Sequence, residues 1–154
     1  MRICRFTVGE EPLFGVLSGD VDEYGQPADD AVIVGLTGDP LYAGIQPLQM
    51  EYRFADVRLL APVIPRSKVV AIGKNYAAHA AERGSVVPDE PLMFIKPNTS
   101  VIGPNDAIAY PAASSNVHYE GELAVVIGRI CRDVPAAQAT DVIFGYTIAH
   151  DLTA

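Results

Sequence analysis

The chain has 154 residues, 49% of them hydrophobic, which is enough for one ordinary core or two small ones. Its formal net charge of −8 and its scattered basic residues exclude a nucleic-acid-binding surface and disfavour an anionic membrane surface. No apolar run reaches the length of a membrane span. Cys4 and Cys131 lie far apart in sequence and form no C-x-x-C motif, so we expect two free thiols in a cytoplasmic protein.

The first 60 residues consist of short strand-like pieces separated by turns. Arg2–Val8 and Leu13–Leu17 predict a hairpin, and Val32–Leu36 and Asp56–Leu60 predict two further strands. This region contains no chemical motif. We therefore predict a small N-terminal β domain over residues 1–62, with a structural role.

A second domain is predicted over residues 67–154. Pro62 and Pro65 favour extended chain and mark the boundary before it. Strands alternate there with short helices, which predicts an α+β fold weighted towards β. The predicted elements are strand Val69–Ile72, helix Tyr76–Arg83 with Asn75 as N-cap, strands Leu92–Ile95 and Val117–Ile127, helix Asp133–Thr140 and strand Val142–Ile148.

Glu120 and Glu122 lie in the strongest strand pattern of the chain, V-H-Y-E-G-E-L-A-V-V-I. Because side chains alternate along a strand, both carboxylates point the same way. Two carboxylates beside an apolar stretch are costly to bury unless a positive group lies between them, and a divalent cation is the group we predict. His118 shares this face, either as a third ligand or as a histidine satisfied by a carboxylate. Asp151 follows the last predicted strand, where it either enters the site or caps a turn.

Three further side chains are candidates for chemistry. His79 and Glu82 are three residues apart and adjacent on one helix face, which fits either a general base with its orienting carboxylate or a surface ion pair. Lys96 follows a short strand, and it either holds an anionic substrate, pairs with the carboxylates, or lies on the surface. The chain has no G-x-G-x-x-G, Walker or G-x-S-x-G motif, which leaves nicotinamide, ATP and serine-hydrolase chemistry without support.

Taken in order, these segments resemble the fumarylacetoacetate hydrolase family. The likeness covers about residues 69–154, and residues 1–60 resemble the small N-terminal domain of some hydroxyhepta-diene-dioate isomerases. Members of the family usually continue beyond the D-x-T-A segment, so we expect a fragment, a truncated relative, or a chain whose sheet is completed in some other way. The matching stretches are Ile72–Tyr76 with His79 and Glu82, Phe94–Pro97, Tyr119–Gly128, Gly145–Tyr146 and Asp151–Ala154.

The resemblance implies a fold, a metal and roles for seven residues. It implies a mixed β fold with a small N-terminal β domain, a homodimer, and a site for Mg²⁺ or Mn²⁺, with Ca²⁺ also compatible with carboxylate ligands. It implies a catalytic dyad of His79 and Glu82, and substrate contacts from Tyr76 and Lys96. It implies three carboxylate ligands for the metal: Glu120, Glu122 and Asp151.

The predicted function is hydrolysis of a C–C bond in small 2-oxo or 2,4-dioxo acids through a metal-stabilised enolate, with His79 taking a proton from water. The same site fits isomerisation of a hydroxyhepta-diene-dioate or decarboxylation of oxaloacetate. Two alternatives belong to other classes. One is a non-catalytic, metal-stabilised fragment, and the other is a cupin-like dioxygenase that uses His118 with the two glutamates.

Overall fold

The chain folds into a five-stranded antiparallel sheet followed by two separate strand pairs, as seen in a computed structural model that describes residues 1–9 and 11–154. The sheet takes up the first 60 residues and has the strand order β4-β3-β2-β1-β5. Its strands are β1 (Arg2–Thr7), β2 (Leu13–Ser18), β3 (Val32–Leu36), β4 (Pro47–Arg53) and β5 (Arg58–Leu60).

One face of this sheet carries the main core. Phe6 and Ile33 share that face, and neither side chain is exposed to solvent. The ring of Phe6 packs edge-on against that of Tyr52, with 5.0 Å between the ring centroids. Full burial of one such apolar side chain stabilises the fold by ~1.5–3 kcal/mol. The sheet therefore has an apolar core of its own.

Two antiparallel strand pairs follow the sheet. Strand β6 (Lys68–Gly73) pairs with β7 (Leu92–Pro97), and β8 (Gly121–Ile127) pairs with β9 (Ile143–His150). The helical segments are short. They are α1 (Pro40–Ala43), α2 (Ala77–Glu82) between β6 and β7, and 3-10 turns at Phe54–Asp56, Asn98–Ser100 and Ala136–Val142.

Large apolar side chains of the two strand pairs are open to solvent. In β9 the side chain of Ile148 is 86% exposed, and in β7 that of Met93 is 68% exposed. From residue 61 onward, Ala80 of α2 is the one described residue that is buried. Two-stranded pairs are marginally stable by themselves, so these faces contribute little core.

The prediction of an α+β fold dominated by β structure is confirmed. The sheet ends at Leu60 and β6 begins at Lys68, while the division into two domains stays a prediction. None of the described helices is both long enough and apolar enough to cross a membrane.

Two elements of the first region were missed. Strand β4 has the sequence P-L-Q-M-E-Y-R, in which Leu48, Met50 and Tyr52 alternate with polar residues, so a period-two strand signal was present and was overlooked. Helix α1 has only four residues, too few for a periodic pattern. Its start is set by Asp39, whose Oδ1 accepts a hydrogen bond from the Leu41 N–H at 3.0 Å.

Two predicted elements of the second region were wrong in type or length. The helix predicted over Asp133–Thr140 is a 3-10 segment over Ala136–Val142, preceded by Asp133 in the left-handed region at φ 52°. The strand predicted from Val117 begins at Gly121. Before it, His118 forms an isolated antiparallel bridge with Thr153.

The N-cap predicted for helix α2 was also wrong. The helix runs from Ala77 to Glu82, its N-cap is Tyr76, and no side chain caps it. Asn75 lies one residue earlier, and its side chain is used elsewhere. Gly84 follows the helix in the left-handed region at φ 63°, as a residue just past a helix end often does.

Candidate active site

Backbone pairing brings the three predicted carboxylate ligands to one face of the β8–β9 pair. Gly121 is opposite His150, and one step further the Asp151 N–H donates to the Glu120 carbonyl at 2.8 Å. Residues directly opposite each other share a face, and so do residues two apart on one strand. Glu120, Glu122 and Asp151 therefore start from the same side of the strand pair.

Lys96 contacts Asp151 at the end of this face. Its Nζ forms an ion pair with Asp151 Oδ1 and donates a hydrogen bond to the Leu152 carbonyl at 2.9 Å. Both side chains are largely buried, with 28% of Lys96 and 12% of Asp151 exposed. The approach lacks hydrogen-bond geometry, so in the described part of the chain Asp151 Oδ1 is a buried oxygen without a hydrogen-bond donor.

The start of helix α2 is tied to strand β8 by two hydrogen bonds. Asn75 Nδ2 donates to Glu122 Oε2 at 3.3 Å, and the Leu123 N–H donates to the Tyr76 hydroxyl oxygen at 3.2 Å. These bonds hold the helix beside the carboxylate face. Sequence reasoning assigned Asn75 to a cap and missed this contact, although a polar residue two positions after the end of β6 was a signal for it.

His79 and Glu82 contact each other on helix α2. His79 Nδ1 lies 3.5 Å from Glu82 Oε2, as the i, i+3 spacing predicts. Half of the His79 side chain and three quarters of the Glu82 side chain are exposed. The geometry fits an imidazole whose Nδ1–H is oriented by a carboxylate, and the catalytic role of the pair stays a prediction.

The ring of His118 is held by other partners than the carboxylates. Its Nε2 is 3.0 Å from Asn116 Nδ2, and its Nδ1 is 3.5 Å from an Arg83 guanidinium nitrogen. Its backbone exchanges two hydrogen bonds with Thr153. Arg83 and Asn116 carry no motif in the sequence, so these contacts had no signal that could have found them.

The donor set suits a hard divalent cation in ligand type, and its three carboxylates start from one face of the strand pair. Among residues 1–9 and 11–154, no three acidic, histidine or cysteine side chains converge closely enough to hold an ion. Two of the three carboxylates have other partners: Asp151 forms an ion pair with Lys96, and Glu122 accepts a hydrogen bond from Asn75. Three carboxylates on one face, one of them with a buried oxygen, nonetheless fit the oxygen ligands that Mg²⁺ and Mn²⁺ prefer.

A cavity of about 260 Å³ opens beside this region. Its lining includes Lys74, Asn75, Asp89 and Glu90. None of the three predicted ligands lines it, so the cavity adjoins the carboxylate face without containing it. The side-chain contacts, and not this cavity, therefore define the candidate site.

Two family models match the chain, and together they cover both of its regions. The model described as Fumarylacetoacetate (FAA) hydrolase C-terminal matches residues 68–154. The model described as Rv2993c-like, N-terminal, matches residues 1–62.

Individual relatives agree with these matches. Protein Rv2993c of Mycobacterium tuberculosis is 47% identical over the whole chain, which covers 56% of that protein. The crystal structure of 5-carboxymethyl-2-hydroxymuconate delta-isomerase from Mycobacterium smegmatis is 44% identical, with a TM-score of 0.84, over 100% of this chain and 56% of that one. The chain thus spans about half the length of these relatives.

A more distant structure contains a metal. It is the maleylpyruvate hydrolase of Sphingobium sp. SYK-6, in complex with manganese(II) and pyruvate. It is 27% identical, with a TM-score of 0.68, and the match covers 99% of this chain and 58% of that one.

Proposed function

The chain belongs to the fumarylacetoacetate hydrolase family, and from this we propose that it carries the metal-binding part of an enzyme that acts on small 2-oxo or 2,4-dioxo acids. The observation that carries the proposal is the backbone pairing of Glu120 with Asp151, which sets three carboxylates on one face next to Lys96. The reaction we propose is metal-dependent hydrolysis of a C–C bond.

Glu120, Glu122 and Asp151 would hold Mg²⁺ or Mn²⁺. A bound ion supplies Lewis-acid chemistry to the oxygens of a 2-oxo acid. Asp151 supports this ligand set because its Oδ1 is buried at the end of the carboxylate face, beside the Lys96 ammonium. The manganese and pyruvate in the maleylpyruvate hydrolase structure are consistent with the same class of ion and ligand.

Lys96 orients Asp151 and supplies a fixed positive charge. Three carboxylates on one face repel an anionic substrate, and a largely buried ammonium at their edge offsets part of that repulsion. Because Nζ is also fixed by the Leu152 carbonyl, its position does not depend on a flexible surface rotamer. The charge therefore favours entry of an oxo-acid anion.

Glu82 and His79 act as a general-base pair. With Glu82 Oε2 next to Nδ1, the proton of a neutral imidazole sits on Nδ1, and Nε2 keeps the lone pair that takes a proton from water. Tyr76 accepts from the Leu123 N–H, which leaves its hydroxyl hydrogen for a substrate oxygen. The bond from Asn75 to Glu122 keeps this helix beside the carboxylates.

The test is loss of the ultraviolet enol band of acetylpyruvate or fumarylpyruvate, measured with Mn²⁺ and then with EDTA. Metal-dependent loss together with pyruvate release is the expected result. His79→Ala should lower the rate at least about a hundredfold, the usual size of a general-base contribution, while leaving Mn²⁺ affinity unchanged. Glu51→Gln, on exposed strand β4, is the matched control and should behave as the unaltered chain.

Absence of metal-dependent loss from a chain that binds Mn²⁺ would contradict the hydrolase proposal. If the metal then raises the melting temperature without turnover of any oxo acid, the chain is a metal-stabilised fragment without catalysis of its own.

Isomerisation is the second candidate, favoured by the 44% identity to a protein named as a delta-isomerase. The same general base would move a proton within a diene-dioate, and no water would be consumed. A shift of the substrate absorbance without pyruvate release would distinguish this reaction from hydrolysis. Carbon dioxide release from oxaloacetate would instead indicate decarboxylation.

A further inference from the structure

A second cavity, of about 200 Å³, is lined by Arg5 of the N-terminal sheet and by residues of the segments that follow it, and none of the three predicted metal ligands lines it. Its lining contains one charged side chain, that of Arg5, and one side-chain amide, that of Asn98. Most of the remaining wall is apolar and includes Val63, Ile64 and Val101. No acidic residue lines it.

The strand register explains why Arg5 lines this cavity. Arg5 is opposite Phe14 on β2 and Leu60 on β5, and residues paired in this way share one face of the sheet. Phe6, the next residue, points to the opposite face and is completely buried in the core. Arg5 therefore projects from the face away from that core, on a strand that is held by a neighbour on each side.

Arg5 is half-buried, and among the described residues it has no acidic partner. Within residues 1–9 and 11–154 no carboxylate lies within ion-pair distance of its guanidinium, whereas Arg53, Arg58 and Arg132 each pair with an aspartate. Arg66 instead lies over the ring of Tyr42. A partly desolvated charge is costly without a partner, and the chain as a whole is acidic. An anion in the cavity would remove that cost.

We propose that this cavity binds a small carboxylate anion, held by the Arg5 guanidinium and the Asn98 amide. A guanidinium donates two parallel hydrogen bonds to a carboxylate, and an amide N–H₂ supplies a third. The volume lies below the ~300–1,000 Å³ of most ligand pockets, so it suits an acid of acetate to pyruvate size. The apolar wall matches a short alkyl group. This site is separate from the metal site and does not depend on the proposed function.

The test is a nuclear magnetic resonance titration that follows the arginine Nε–H signals of the whole chain. Sodium acetate is added at constant ionic strength, with acetamide as the neutral probe of the same shape and chloride as the probe for plain screening. We expect the Arg5 signal to shift saturably with acetate and to stay unchanged with acetamide and chloride. A linear or chloride-like response would overturn the proposal.

Three variants assign the binding to this cavity. Arg5→Gln should weaken acetate binding at least about tenfold, since a charge-assisted hydrogen bond is lost. Asn98→Ala should weaken it about fivefold, as loss of a neutral hydrogen bond does, and it tests the site independently should Arg5→Gln disturb the sheet. Arg2→Gln, on the same strand and exposed, is the matched control and should bind acetate normally. The proposal would be contradicted if Asn98→Ala and Arg2→Gln bound acetate with equal affinity. It would also be contradicted if the unaltered chain bound phosphate more tightly than acetate.

Discussion

The five-stranded sheet and the two strand pairs after it differ in how they are stabilised. The sheet buries Phe6, Ile33 and Leu36, whereas the β6–β7 and β8–β9 pairs leave most of their large apolar side chains exposed. All seven predicted site residues lie in the second region. The contrast indicates that the first region supplies packing energy, while the second contains the proposed site and is held together by a few polar contacts.

The largest expected difference between the regions concerns phenylalanine removal. Phe6→Ala should lower the free energy of unfolding by about 4 kcal/mol, because a fully buried ring is replaced by a cavity. Phe94→Ala in β7, where the ring is 39% exposed, should cost about 1 kcal/mol. Urea denaturation measures both. Equal losses would mean that the second region has a core comparable to the first.

Glycine-to-alanine substitutions should show the next largest difference in stability between the two regions. A Cβ on Gly15 in β2 would lie 2.3 Å from Ile33 Cγ2 and 2.9 Å from the Val34 carbonyl oxygen, so Gly15→Ala should destabilise by about 3 kcal/mol. At Gly145 in β9 nothing lies within 4 Å of the added carbon, and Gly145→Ala should be neutral or stabilise by about 0.5 kcal/mol. Thermal unfolding checks the pair, and a destabilised Gly145→Ala would show that β9 is covered.

Ion-pair removal tests the polar contacts that hold the second region. Lys96→Met should destabilise by about 2 kcal/mol, because it leaves the largely buried Asp151 carboxylate without its cation. Arg58→Met breaks the exposed pair with Asp106 and should cost less than about 1 kcal/mol. If the two variants unfold at the same urea concentration, Lys96 does not hold the second region together.

The last expected difference is one of pH dependence, and it concerns the two thiols. Burial raises the pKa of Cys4 from 9.0 to about 11, while Cys131 is exposed. The folded state therefore keeps the Cys4 proton longer than the unfolded state, and the stability from the neutral thiol is complete below pH 9 and is lost as pH rises towards 11. Alkylation by iodoacetamide at pH 8.5 should modify Cys131 and spare Cys4, and rapid modification of both would contradict this burial.

Sequence patterns predicted those features that depend on local spacing. Period-two alternation predicted that Glu120 and Glu122 share a face, and i, i+3 spacing predicted the contact of His79 with Glu82, which the structure contains. The α+β class followed from the order of strand and turn signals, and the ordered motifs identified the family.

The remaining features depend on tertiary register, which sequence spacing does not encode. The bond from Asn75 to Glu122 joins residues 47 apart, and that from Lys96 to the Leu152 carbonyl joins residues 56 apart. Local propensity also favoured a helix after Asp133, where the left-handed Asp133 and the following Pro135 instead precede a 3-10 segment.

The most direct test of the metal site is calorimetric titration of Mn²⁺ into the chain and two ligand variants, Glu122→Gln and Asp151→Asn. Each substitution keeps the shape of the side chain and removes a charged ligand oxygen. We predict one bound ion per chain and at least about tenfold weaker binding in each variant, with Glu51→Gln as the unaffected control. Equal Mn²⁺ affinity in all four proteins would show that these carboxylates do not hold the metal.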